Sequence, residues 1–282
     1  MAVATAGRAS AGAAPARGSR AGLAGTLRSE LTKIWSVRST YWSLLVLVLA
    51  SVGFCVAFCA GEASRWPRLS AADRAGFDPA QASVLGLVLL GQLVIVVLGA
   101  LAITSEYSTG MMRTSLTVMP RRGVLFGAKA AVLAAVSLVI ATVTSFGAFF
   151  LGQALLTSTH AGATLSQPNV LRAVIASALF VTACGLCAFG LGAIVRHTAG
   201  AITAAFGIFF LLPQLAKALP STWYADVVRW LPGGEVTNVI TVTRGPLQQP
   251  HLFGAWGELA VLGGYAAILL LGGALLFGRR DA

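Results

Sequence analysis

Residues 171–219, LRAVIASALFVTACGLCAFGLGAIVRHTAGAITAAFGIFFLLPQLAKAL, decide the fold of this chain. Two long apolar runs lie on either side of the pair Arg196-His197. Each run is long enough for an α-helix to cross the hydrocarbon core of a bilayer, which takes about 20 residues. We therefore predict two membrane-spanning helices, 171–195 and 198–219, joined as a hairpin by a very short turn.

Four further apolar runs of the same kind occupy residues 41–60, 82–104, 124–156 and 259–278. The run 124–156 exceeds a single crossing, so we expect it to be tilted or to extend into the cytoplasm at Lys129. Only 10% of the residues are charged, against roughly 25% in a soluble domain. The sequence therefore predicts an all-α polytopic membrane protein with six transmembrane helices.

The domain boundary falls near residue 22. Residues 1–22 are rich in Ala, Gly, Arg and Ser and contain no apolar core. Such a segment cannot bury enough surface to order itself, so we expect a disordered cytoplasmic tail. Residues 23–282 are then the transmembrane domain.

The charged residues predict the orientation. With the amino terminus inside, the inner segments hold 13 Lys and Arg and three acids, and the outer segments hold seven and six. The difference is +10 inside and +1 outside, which accounts for the formal net charge of +11. Positive residues favour the cytoplasmic side, so both termini are expected there. Because topology explains the charge, nucleic acid is not an expected partner. The Ala/Gly/Arg-rich composition suggests a bacterium with a GC-rich genome, so we expect a bacterial plasma membrane.

An amphipathic pattern precedes the first run, at residues 23–38. At 100° per residue, five apolar side chains fall on one face, and Glu30 falls at the edge of that face. These five are Leu23, Leu27, Leu31, Ile34 and Trp35. The opposite side carries Arg28, Ser29, Thr32 and Lys33. We predict an interfacial helix that lies along the inner leaflet; simple anchoring of the first span is an equally open interpretation.

The segment between the second and third runs combines bending residues with apolar surface. Gly110 permits a sharp bend and Pro120 ends regular structure. Met111, Met112, Leu116 and Val118 are apolar although the segment is predicted to be cytoplasmic. Apolar surface rimmed by charge often marks a docking site. The alternative is an exposed loop whose Arg residues only follow the positive-inside rule.

Three motifs together resemble the permeases of type-2 ATP-binding-cassette (ABC) exporters. They are Glu106-Tyr107-x-x-Gly110-x-x-Arg113-x-x-Leu116 followed by Pro120-Arg121-Arg122 and Lys129, the earlier Ser29-Glu30-Leu31-x-Lys33-Ile34-Trp35, and the late Leu231-Pro232-Gly233-Gly234-Glu235. The likeness extends from Leu23 to Arg280 in span count, loop placement and orientation. The family more often has Thr where this chain has Met111.

The resemblance implies that residues 106–122 form a coupling helix bound by a separate ABC ATPase. Its expected coupling residues are Glu106, Tyr107, Gly110, Met111, Met112, Arg113, Leu116, Pro120 and Arg121. Glu106 is expected to pair with a base on the partner or with Arg113. Two permease copies, expected to be identical, would bind two ATPases, and the outer segment 220–257 would form a re-entrant helical pair. From the residues, we expect short helices at 222–231 and 235–242, although an ordinary surface loop remains an alternative.

The spans contain few polar side chains and lack intramembrane acids of the kind that ion-coupled transporters use. Gln92, Thr142 and Ser145, with Ser137 and Thr144, could contact a cargo or bond between helices. The apolar surfaces of the spans, which carry few charges, favour an amphipathic or hydrophobic cargo such as an antibiotic, lipid or peptide. Rival classes are an ion-gradient-driven carrier or channel and a non-transporting membrane scaffold; an intramembrane enzyme is the weakest option.

The sequence indicates no catalytic, cofactor or metal site. It contains no Gly-x-x-x-x-Gly-Lys-[Ser/Thr] phosphate loop, so ATP hydrolysis is expected on a separate subunit. The cysteine pairs Cys55/Cys59 and Cys184/Cys187 lie within apolar runs. Buried free cysteine behaves as a small hydrophobe, and we predict no redox chemistry.

Overall fold

The computed structural model describes residues 23–111, 122–216, 218–228, 230–231, 239–242 and 254–279. All regular elements within these ranges are helical. Six helices are long and apolar enough to cross a membrane, and we call them the first to sixth spans: Arg38–Arg68, Pro79–Ser108, Arg122–Thr159, Val170–Val195, Thr198–Ala216 and Trp256–Arg279. The predicted all-helical, six-span architecture of a multi-pass membrane protein is confirmed. The expected tail 1–22 lies outside the described residues.

Several spans are composite helices. An N-terminal helix, Leu23–Ser36, precedes the first span. The regular elements of the spans and loops are Arg38–Arg65, the 3₁₀ turn Trp66–Arg68, Ala71–Gly76, Pro79–Gly86, the π turn Leu87–Gly91, Gln92–Ser108, Arg122–Leu156, the 3₁₀ turn Thr157–Thr159, Val170–Val195, Thr198–Phe206, the π turn Gly207–Leu211, Leu212–Ala216, Ser221–Val228 and Ala255–Arg279. The helix Arg122–Leu156 is about 52 Å long at 1.5 Å per residue, which exceeds the bilayer core as the sequence predicts.

The fourth span is the centre of the bundle. Of the most apolar stretch of the fourth span, 72% is buried inside the protein, against 17% for the sixth span. Small residues allow this packing: a Cβ atom on Gly99 of the second span would overlap the carbonyl oxygen of Gly185. Gly190 lies similarly close to the backbone of Leu269 on the sixth span. The glycines of the fourth span therefore serve close helix packing, as membrane helices commonly use them.

The hairpin between the fourth and fifth spans has the predicted two-residue turn. Arg196 is left-handed, with φ 58°, and its N–H donates to the Gly192 carbonyl at 2.9 Å. This is the usual αL ending of a helix. His197 then caps the fifth span, because its Nδ1 accepts the Gly200 N–H at 3.1 Å.

Contacts between span ends show that the spans alternate in direction. We call the end where the second span finishes and the third begins the connector end, and residues 109–121 the connector. At this end Thr198 Oγ1 of the fifth span lies 3.0 Å from Thr104 Oγ1. At the opposite end Gln153 Nε2 of the third span donates to the Pro79 carbonyl at 3.0 Å. The bundle therefore has two distinct ends.

Part of the predicted outer helical pair is present. The helix Ser221–Val228 confirms a short helix here, although it ends before residue 231, where the sequence places its end. Most of the second, expected at 235–242, lies outside the described residues, as does the Pro232-Gly233-Gly234 break. Trp223 and Trp230 of this region, like Trp42 and Trp256 at span ends, are more than half exposed.

Candidate functional site

Four charged side chains meet at the connector end and form what we call the ionic cluster: Glu30, Lys33, Glu106 and Lys129. Lys129 Nζ lies 2.6 Å from Glu30 Oε2 and also contacts Glu106 Oε1. Lys33 Nζ lies 2.7 Å from Glu30 Oε1 and 3.4 Å from Glu106 Oε1. Each ammonium group therefore bridges the same two carboxylates.

Three members of the ionic cluster are buried. The side chains of Lys129, Glu30 and Glu106 are 4%, 7% and 10% exposed, whereas that of Lys33 is 39% exposed. Two acids balance two bases, so the charged cluster is formally neutral. Burying a charge is costly unless it is paired and hydrogen-bonded. The removal of any one buried member would therefore leave an uncompensated charge among the others.

The ionic cluster joins three separate elements. Glu30 comes from the N-terminal helix, Glu106 from the last turn of the second span, and Lys129 from the second turn of the third span. The connector leaves the second span three residues after Glu106 and enters the third span seven residues before Lys129. The N-terminal helix is thus fastened to both helices from which the connector projects.

The expected coupling residues divide into described and undescribed groups. Glu106 is in the ionic cluster, and its expected partner Arg113 lies outside the described residues, as do Met112, Leu116, Pro120 and Arg121. Tyr107 lies under the Arg196 guanidinium, 5.0 Å from ring centroid to Cζ. Gly110 has φ 68°, which confirms the predicted bend, and Met111 is half exposed.

The N-terminal helix presents a polar face to the bundle. Thr26 and Glu30 are buried, and Lys33 reaches the ionic cluster, whereas Leu31 is 41% exposed and Leu27 is half-buried. Lys33, which the sequence places on the polar side of this helix, therefore faces the bundle, because it pairs with the carboxylates of Glu30 and Glu106. Part of the predicted apolar face (Leu23, Leu27, Leu31, Ile34 and Trp35) points away from the bundle; the side chains of Leu23, Ile34 and Trp35 are not described.

The ionic cluster changes the titration of Lys33. Burial alone would lower its pKa, but the hydrogen bond to Glu30 and the negative charges of Glu106 and Glu30 outweigh burial. The pKa of Lys33 is therefore raised above its ordinary 10.5. Lys33 stays protonated throughout the physiological range and holds its two carboxylate partners in place.

A cavity of about 430 Å³ adjoins the ionic cluster. It lies between the N-terminal helix and the first three spans. Its polar end is formed by the ionic cluster with hydroxyl groups of the first span, and its deeper walls are apolar. This volume is within the range of small-molecule sites.

The predicted polar residues of the spans mostly bond within the chain. Gln92 is buried, and its Nε2 lies 3.5 Å from Cys184 Sγ. Ser145 Oγ lies 2.8 Å from the Val174 carbonyl oxygen and 2.7 Å from Ser177 Oγ. Thr142 is half-buried on the third span. Gln92 and Ser145 thus link the fourth span to its neighbours, which is the interhelical role that the sequence favours.

A second polar site lies at the opposite end of the bundle. Asp78 caps the second span by accepting the N–H groups of Ala80 and Gln81, and its other oxygen accepts the Val242 N–H at 2.5 Å. Arg172 Nη2 donates to the Thr241 carbonyl at 2.6 Å. Residues 241–242, which follow the Pro-Gly-Gly region, are therefore fixed to the second and fourth spans. No local sequence pattern predicts this site.

The four cysteines are free and buried. Within the described ranges, no group of three or more His, Cys, Asp and Glu side chains is placed to hold a metal ion. The ionic cluster and its cavity are thus the chemically distinctive site of the described chain. No protein-family model matches the sequence, and no curated protein matches it at a significant level.

The signal that could have revealed the ionic cluster was Lys129. It lies seven residues inside the third span, and an unpaired ammonium group in a membrane helix costs up to about 2.5–3.5 kcal/mol, the value at the helix centre. The predicted inner segments hold only three acids: Glu30, Glu106 and Asp281. Glu106 ends the second span beside it, and Glu30 interrupts an apolar helix face. The prediction that these residues pair requires only the assumption that a buried basic side chain forms a salt bridge with an acidic one.

Proposed function

We propose that this chain is the membrane-spanning permease subunit of an ATP-driven exporter of the type-2 ABC class. The observation that carries the proposal is the ionic cluster, which fastens the N-terminal helix to the two spans that hold the connector. An ATPase that binds the connector would then act on three elements at once. The motif resemblance supplies the class of the motor.

The geometry of the ionic cluster suits force transmission. Its buried members are held by contacts of hydrogen-bond length, so the ends of the second and third spans move together rather than independently. The connector is attached within about two turns of each buried charge. Closure of the ATPase against the connector would therefore tilt both spans and carry the N-terminal helix with them. A flexible loop without this cluster would absorb the motion.

The remaining features are those of a subunit rather than a whole pump. The chain supplies no phosphate loop, so two copies of a separate ATPase would hydrolyse ATP. The first, fifth and sixth spans are only 28%, 28% and 17% buried, which leaves apolar surface for lipid and for a second, identical permease. The cargo would be an amphipathic or hydrophobic compound, and the positive-inside charge balance would place the connector in the cytoplasm of a bacterial cell.

The test is co-expression with candidate ABC ATPases, followed by reconstitution in proteoliposomes. ATP hydrolysis and export of a hydrophobic fluorescent dye are measured together. Glu106→Arg combined with deletion of residues 111–116 is expected to abolish dye export and its coupling to hydrolysis. Asp73→Asn, which alters an exposed acid at the opposite end, is the control and should export normally.

Three outcomes would contradict the proposal. Normal coupling in the Glu106→Arg deletion variant would remove the connector from the mechanism. Dye transport that follows a proton or sodium gradient without ATP would indicate an ion-driven carrier. The absence of any ATPase after purification in mild detergent would favour a non-transporting scaffold.

A further inference from the structure

The cavity beside the ionic cluster has a polar end and a long apolar interior. At the polar end lie Lys33, Ser36 and Thr40, and deeper in lie Leu44, Ile95 and Val136. Ile95 precedes Glu106 by eleven residues on the same span, which is about 16 Å at 1.5 Å per residue. The cavity therefore extends along the helices from the membrane boundary toward the bilayer interior.

Hydroxyl groups of the first span line this cavity without a hydrogen-bond partner among the described residues. Ser39, Thr40 and Ser43 line the cavity, and their side chains make no hydrogen bond to any described residue. Ser137, which also lines the cavity, differs because its hydroxyl donates to the carbonyl four residues earlier at 2.6 Å. The cavity thus offers unused donors along one wall.

The solvent-exposed charges at the cavity mouth are positive, although the ionic cluster as a whole is formally neutral. Glu30 and Glu106 are buried and held by Lys129, while Lys33 is the half-exposed member of the ionic cluster. Arg38, at the start of the first span, is exposed at the same end. Exposed cations together with hydroxyl donors complement a head group that carries acceptor oxygens and negative charge.

From these observations we infer that the cavity is a binding site for an anionic phospholipid of the adjoining leaflet. Its phosphate would lie against Lys33 and the hydroxyls of Ser39 and Thr40, and an acyl chain would lie along Leu98, Ile95 and Val136. Such a lipid would fill the gap between the N-terminal helix and the first three spans. It would be a structural ligand of each chain, separate from the transported cargo.

The test measures lipid binding by native mass spectrometry on the purified full chain, without an ATPase. The probes are phosphatidylglycerol and phosphatidylcholine. We expect phosphatidylglycerol to bind at least fivefold more tightly, since each basic residue near an anionic head group contributes about that factor. Millimolar inorganic phosphate should not displace it, because the acyl chain supplies most of the contact.

A pair of tryptophan substitutions locates the site. Val136→Trp fills the cavity and should weaken phosphatidylglycerol binding at least tenfold. Val139→Trp, on the same helix, alters a side chain that is 60% exposed, and should change binding less than twofold. Thr40→Val removes a hydroxyl at nearly constant shape and should weaken binding several-fold, which keeps the test decisive if Val136→Trp impairs folding.

Several results would overturn the inference. Equal lipid occupancy in Val136→Trp and Val139→Trp would exclude the cavity, and displacement by inorganic phosphate would show a simple anion site. A photoreactive residue in place of Leu98 should yield an adduct with the mass of the lipid. An intramolecular cross-link to residues 112–121 would instead make the chain itself the occupant.

Discussion

Lys129 is the residue on which the connector end depends most. It is almost fully buried and contacts both Glu30 and Glu106. A buried carboxylate that loses its cation keeps its full desolvation penalty. Lys129 therefore decides whether two further charges can stay inside the protein.

We predict that Lys129→Met lowers the free energy of unfolding by about 3–5 kcal/mol, because it leaves two buried carboxylates with one half-exposed base. The measurement is unfolding by sodium dodecyl sulfate in mixed micelles. Lys33→Met is the matched control and should cost about 0–1 kcal/mol, since Lys33 is partly solvated. Adding Glu106→Gln to Lys129→Met should recover part of the loss. Equal losses for the two lysine variants would disprove the central position of Lys129.

The pH dependence of stability should follow Lys33 in the alkaline range. Its pKa is raised on folding, so the folded state binds this proton more tightly than the unfolded state. The stability from Lys33 is therefore complete below its unfolded value near 10.5 and is lost as pH rises through the folded value. Melting temperatures are measured between pH 8 and 11.5 for the unsubstituted protein and for Lys33→Gln. The difference in melting temperature between the two should shrink as the pH rises through the folded pKa of Lys33. If the difference in melting temperature grew with pH, the stabilisation by Lys33 would have the opposite pH dependence.

At the scale of elements, the crossing of the second and fourth spans is set by two glycines. A Cβ atom on Gly99 would overlap the Gly185 carbonyl oxygen, so none fits there. The two backbones therefore approach closely at Gly99, and the fourth span can occupy the centre of the bundle.

Gly99→Ala should lower the free energy of unfolding by about 1–3 kcal/mol or more, since the added carbon would meet a backbone oxygen that cannot rotate away. Gly147→Ala on the third span is the control. Its added methyl group would meet no atom within 4 Å, so the substitution should be neutral or stabilising by up to about 1 kcal/mol. The same unfolding assay measures both. A neutral Gly99→Ala would mean that the two spans are not packed so closely.

The sequence was sufficient to predict the elements but not their contacts. Apolar length alone located all six spans, and Arg196-His197 alone located the hairpin turn, because both signals are local. The orientation of the N-terminal helix was harder to predict. A hydrophobic pattern describes which side chains avoid water, whereas Glu30 and Lys33 face the bundle because of Lys129, 99 residues beyond Glu30 in the chain. The link between Asp78 and Val242 was missed for the same reason.

At the scale of the whole molecule, the two ends of the bundle have different chemistry. The connector end has a buried, neutral ionic cluster next to a cavity. At the opposite end the side chains of Asp78 and Arg172 hold residues 241–242 by hydrogen bonds to their backbone. Between them the described spans present apolar side chains to their surroundings. This asymmetry is what a permease driven from one side would need: a rigid point of attachment at one end and a held segment at the other.

The most direct test of the account is the side of the membrane on which the connector end lies. Ser108→Cys and Ser158→Cys place exposed thiols at the two ends, and the four native thiols are buried. A membrane-impermeant maleimide is added to intact cells and to permeabilised cells. The account predicts that Ser158→Cys is labelled in intact cells and that Ser108→Cys is labelled only after permeabilisation. Labelling of Ser108→Cys in intact cells would contradict a cytoplasmic ATPase acting on the connector.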